Sequence, residues 1–100
     1  MPRFRLTRAA ADDLTTIFLE GIEQFGLPQA DTYHEGLSAI FAFLAEYAQA
    51  ARLREEISPP VRVHPYKAHL VIYDVGDEDD VIILRVRHGR EDWISSNYDG

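Results

Sequence analysis

The chain has 100 residues, 46% of them hydrophobic, with 17 acidic and 10 basic side chains and a net charge of −7. This length accommodates one domain, residues 1–100, with a modest core, and the composition excludes a disordered chain. The charge disfavours indiscriminate nucleic-acid binding, which draws on phosphate neutralisation by Lys and Arg, and the lack of cysteine excludes disulfides and thiolate metal sites.

No apolar stretch near the start has the length of a secretory signal, and none approaches the ~20 residues of a membrane span. A soluble, cytoplasmic protein is expected. Arg3-Phe-Arg-Leu6 alternates polar and apolar, as a half-buried strand does. Thr7 is placed to cap a first helix, along which Ala11, Leu14, Ile17, Phe18, Ile22 and Phe25 form an apolar stripe. Leu19 lies outside that stripe. Gly26 suits the left-handed position that ends a helix, and Pro28 suits the first turn of the next. In that second helix Ala30, Tyr33, Leu37, Ile40, Phe41, Leu44 and Ala48 recur at helical spacing, flanked by Phe43 and Tyr47. Two helices joined so tightly make an antiparallel hairpin.

Residues 49–60 carry charge and then two prolines, which bar a continuing helix, so they read as a linker inside the domain. Val61-Arg-Val-His-Pro-Tyr66, His69-Leu-Val-Ile-Tyr73 and Val81-Ile-Ile-Leu-Arg-Val-Arg-His88 read as three antiparallel strands. The acidic turn Gly76-Asp-Glu-Asp-Asp80 joins the last two. The fold class is therefore α+β: a small antiparallel sheet with an N-terminal αα-hairpin packed on one face, in the order β-α-α-β-β-β. Pairing Tyr66 with His69 and Val75 with Val81 gathers Val61, Val63, Leu70, Ile72, Ile82, Leu84 and Val86 on the face expected to take the helices. The opposite face then collects Arg62, His64, His69, Tyr73, Arg85 and Arg87, a basic surface suited to an anionic group.

None of the four histidines has HxH or HExxH spacing, and there is no glycine-rich phosphate loop. No metal, cofactor or catalytic residue is expected. Acid–base cleavage of RNA needs a base, an acid and cationic stabilisers on one surface, for which the basic face offers Arg62, Arg85, His69 and Tyr73.

The order of short motifs resembles the RelE/ParE superfamily of bacterial toxins, and within it the ParE branch. The resemblance is carried by Phe4-Arg-Leu6 before Ala9-Ala-Ala-Asp-Asp-Leu14, and by Phe25-Gly26 before Gln29-Ala-Asp-x-Tyr33. Arg52-x-Arg-x-Glu-Ile57, Val61-Arg62 and His69-Leu-Val-Ile-Tyr73 continue it. Ile83-Leu-Arg-Val-x-His-Gly-Arg90 and Asp92-Trp93 close it. It implies the fold just derived, inhibition of DNA gyrase, and a ParD-like antitoxin with a ribbon-helix-helix DNA-binding region. It also implies a hetero-oligomer with that antitoxin, operator DNA reached only through it, and no membrane. The RelE branch instead cleaves ribosome-bound messenger RNA, commonly with a tyrosine where this chain has Trp93. Ribosome-dependent cleavage, with Tyr98 as substitute, is the alternative, and a non-toxic antitoxin-binding member is a third reading. Lys67-Ala68 and Asp74 depart from the family pattern by lowering the positive charge. The residues expected to meet the target are Arg85, Arg87, His88, Arg90 and Trp93. Those expected to meet the antitoxin are Leu19, Arg62, His69, Tyr73 and Arg85.

Overall fold

The computed structural model describes residues 3–78, 80–95 and 98. Its elements are β1 (Phe4–Leu6), α1 (Arg8–Phe25), α2 (Leu27–Glu46), β2 (Leu53–Arg54), β3 (Val61–Tyr66), β4 (His69–Val75) and β5 (Val81–His88). The strands form one sheet in the order β1-β5-β4-β3-β2, antiparallel except for the β1–β5 pair. The architecture is the expected α+β one. It has one addition: the linker contributes the two-residue strand β2, paired with Val61 and Arg62.

Local chemistry explains the helix boundaries. Thr7 Oγ1 accepts the Ala10 N–H at 3.0 Å, satisfying one of the open donors of the first turn. Gly26 has φ +85°, a conformation costly for any residue with a Cβ, and it ends α1 one residue before α2 begins. The helices then lie close because Gly21 faces Ala30, whose Cβ would be 3.3 Å from a Cβ added at Gly21. A Cβ at Gly36 would collide with the Tyr66 hydroxyl, so that glycine lets α2 settle on β3.

The second helix buries its predicted stripe, with Ala30, Leu37, Phe41 and Leu44 inside. In α1 the buried line is shifted. Ala10 and Leu14 are buried with Ile17 packed beside them, whereas Ala11 and Phe25 are exposed. The physical reason is that α1 is tied to β5 through Thr7 and Asp13, which sets its rotation.

The faces of the sheet differ from the expectation. Both predicted pairings occur, Tyr66 with His69 and Val75 with Val81, but a β-bulge separates Ile72–Arg85 from Tyr73–Ile83 and leaves Leu84 as the extra residue. Beyond the bulge every β5 side chain changes sides. Val86 therefore joins Val71, Tyr73, Val81 and Ile83 under the helices. Leu70, Ile72, Ile82, Leu84, Val61 and Val63 form the other face, which Ile57, Trp93 and Tyr98 cover as a second, smaller core. The helices thus take the face opposite to the predicted one. Arg85 and Arg87 share the Leu70 and Ile72 side, and Arg62 and Tyr73 the helix side.

Candidate functional site

The expected basic surface does not assemble. Tyr73 is 0% exposed: its hydroxyl donates to the Ala48 carbonyl at 2.9 Å and accepts the Ala51 N–H at 3.3 Å, tying the chain after α2 to the sheet. Burial raises the Tyr73 pKa, so it is a neutral strut inside the protein. Arg62 is on the same side, half-buried, with its guanidinium donating to the Ala51 carbonyl at 2.6 Å. These two residues of the expected antitoxin surface make internal contacts because the helices take the face of the sheet on which the β3–β4 register places them.

Arg85 is held by Asp13. Its Nε and terminal amine donate to the two carboxylate oxygens at 2.7 and 2.9 Å, and the Val86 N–H donates to the same carboxylate at 3.0 Å. The Asp13 hydrogen bonds raise the Arg85 pKa further. β1 covers β5 only as far as Ile83. From there the open edge is satisfied by side chains: the Thr7 hydroxyl donates to the Leu84 carbonyl at 2.7 Å, Asp13 accepts Val86 N–H, and Glu91 accepts His88 N–H at 2.7 Å. An edge whose backbone groups are used in this way is a poor template for another strand.

The expected target set is brought together more nearly. Arg87, His88 and Arg90 lie at the end of β5 and in the turn after it, where Glu91 also pairs with Arg87. The Arg87 guanidinium, helped by the His88 N–H, holds the Glu91 carboxyl down at about 2. The Arg90 N–H donates to His88 Nδ1 at 3.1 Å, and the Arg90 side chain has no ion pair among the described residues. Trp93 is half-buried on the second core, with the Arg54 guanidinium 5.8 Å from its ring centroid. It is an anchor for the tail as well as a partly exposed aromatic. Leu19 stands out from α1 at 58% exposure, and Phe25 and Leu27 are exposed at the hairpin tip.

Sequence reasoning missed a second constellation. A cavity of about 430 Å³ opens between the C-terminal half of α1, the N-terminal half of α2 and the β3–β4 turn. Tyr33 Oη lies 2.6 Å from His69 Nδ1, and His69 pairs across strands with His88, their ring centroids 5.3 Å apart. Burial and then the neighbouring His88 lower the His69 pKa. Tyr33 was legible only as a member of the α2 stripe. The cross-strand meeting of His69 and His88 depends on the bulge, which shifts the β5 register by one. Among the described residues no group of three or more His, Asp or Glu could hold a metal ion.

Two helices laid on one face of a five-stranded sheet, with Trp93 and Tyr98 folded over the other, define a small α+β domain. The family described as "ParE toxin of type II toxin-antitoxin system, parDE" matches residues 4–93. The chain therefore belongs to the ParE toxin family. It is 32% identical over 88 residues to Toxin ParE1 of Caulobacter vibrioides, covering 88% of this chain and 90% of that one. Its fold is similar to a chain of the chromosomal ParDE toxin–antitoxin system from P. aeruginosa, with a TM-score of 0.76 and 24% identity, covering 88% of this chain and 96% of that one.

Proposed function

We propose that this chain is the toxin of a ParDE pair that inhibits DNA gyrase and is neutralised by a ParD-like antitoxin carrying a ribbon-helix-helix DNA-binding region. Family membership over residues 4–93 supports the toxin assignment. The observation favouring gyrase over messenger RNA is the fate of the set offered for RNA cleavage. Tyr73 is buried, Arg62 is bound to the Ala51 carbonyl in the segment after α2, and Arg85, on the other side of the sheet, is paired with Asp13. General acid–base cleavage needs those groups on one accessible surface. In this reading the target meets the end of β5 and the turn beyond it, through Arg87, His88, Arg90 and the exposed part of Trp93. The antitoxin covers the apolar outer positions of the helical hairpin, Leu19 among them, over an area at or above the standard ~1,600 Å².

The deciding experiment gives the purified chain to gyrase with plasmid DNA, and separately to translating ribosomes. Loss of supercoiling with intact messenger is expected. Codon-specific messenger cleavage with gyrase untouched would establish the RelE-type alternative, and neither effect, with antitoxin still bound, would mark a non-toxic member.

A further inference from the structure

We propose that the cavity between α1, α2 and the β3–β4 turn binds a small organic acid, its apolar body between the helices and its carboxylate at Lys67, His69 and His88. The cavity would serve such a ligand whether or not the chain acts on gyrase.

At about 430 Å³ the cavity falls within the range of small-molecule sites. Its helical wall sets Ile17, Phe18, Phe25 and Leu37 among polar side chains, Glu20, Gln24, Gln29 and Thr32 among them, and Lys67, His69 and His88 line the end formed by the sheet. A few convergent polar groups beside apolar side chains fix the orientation of an amphiphilic ligand.

The sheet end of the cavity carries an ammonium that, like the Arg90 guanidinium, has no carboxylate partner among the described residues. Arg5, Arg52, Arg54, Arg85 and Arg87 all hold carboxylates. Lys67, the single lysine of the chain, holds none among the described residues. Its ammonium instead stands 5.5 Å from the Tyr66 ring centroid and 6.0 Å from that of Tyr33, at the limit of cation–π attraction. An ammonium kept at the mouth of a cavity by aromatic faces is available to an incoming anion. Its backbone is also unusual. Lys67 is the one non-glycine among the described residues with positive φ, +51°, at a hairpin position where glycine is the default residue. His88 adds a second donor. Because the Arg90 N–H donates to His88 Nδ1, that nitrogen is an acceptor and Nε2 is the ring nitrogen that carries a proton. Glu20 is the carboxylate in the wall, contributed by α1, and opposes an anion there.

These opposed charges give the test its sign. The full chain is titrated by calorimetry with phenylacetate, with 2-phenylethanol as the uncharged body, and with inorganic phosphate as a bare anion. Phenylacetate is expected to saturate with a Kd of about 1 mM or tighter. The alcohol and phosphate should each bind about tenfold more weakly, since each lacks half of the recognition. Lys67→Gly removes the ammonium while placing the residue best suited to positive φ, so folding is retained, and affinity should fall by about tenfold. Glu20→Gln should tighten binding. No saturation by about 20 mM phenylacetate would overturn the proposal. So would equal affinity for the alcohol, or affinity unmoved by Lys67→Gly in a chain whose melting curve shows it folded.

Discussion

Asp13, with Thr7, ties α1 to the sheet. It sits on α1, yet its carboxylate binds both Arg85 and the Val86 N–H on β5. Asp13→Ala would leave a partly buried guanidinium and a backbone donor without partners, a loss of about 1–3 kcal/mol. Chemical denaturation should show that fall, and a double-mutant cycle with Arg85→Met should show that most of it is shared between the two residues. A cycle with no coupling would contradict this account. Glu91 provides a pH-dependent contact of the same kind. Its folded pKa of about 2 lies below the ordinary 4.5, so the charged form is the one that folding stabilises. That contribution is fully present above the ordinary value and is lost as pH falls toward about 2. In Glu91→Gln the slope of stability between pH 5 and pH 2 should flatten relative to the parent chain. An unchanged slope would place the acid sensitivity elsewhere.

At the level of elements, α1 is fixed at its start and free along its outer face. Thr7 both caps the helix and donates to the Leu84 carbonyl. Thr7→Ala should therefore cost about 1–2 kcal/mol, toward the upper end of the range for a cap alone. A loss of only about 0.5 kcal/mol, the low end for a cap alone, read from the midpoint of a urea titration, would mean that the contact to β5 contributes nothing. Leu19 has the opposite character. It is exposed on the same helix and lies outside the two cores. Leu19→Asp should leave the melting temperature within a degree or two and, if the antitoxin covers this residue, weaken the complex by about tenfold or more, since a charge would be buried in place of an apolar contact. Equal affinity of parent and variant for the antitoxin would move the docking surface off this side of the hairpin.

At the level of the whole molecule, a sheet this small is covered on both faces. The helical hairpin lies on one, and Ile57 with the tail residues Trp93 and Tyr98 lies on the other, where the Tyr98 hydroxyl donates to the Trp93 carbonyl. Trp93 thus combines packing with exposure, and its substitution separates the two roles. Trp93→Ala should reduce stability by about 1–3 kcal/mol, less than a fully buried tryptophan would lose. If the variant remains folded at assay temperature yet no longer inhibits gyrase, the residue also serves recognition. Full inhibition by the folded variant would confine it to the core and leave Arg87, His88 and Arg90 as the expected contacts.

The sequence by itself determined the element order, the cap at Thr7, the break at Gly26, the buried stripe of α2 and the family, because these depend on local spacing and on short motifs in a set order. It could not determine which side of the sheet takes the helices. β4 and β5 are apolar at both odd and even positions, as in Leu70 and Ile72 against Val71 and Tyr73, so alternation gives no preference. The answer came from tertiary structure. A single extra residue at Leu84 reverses the β5 side chains beyond it, and the Asp13–Arg85 contact and the tail over Ile72 and Leu84 assign each face its cover. The same bulge sets His69 against His88 beside Tyr33 and Lys67, four residues from three stretches whose meeting no local pattern encodes.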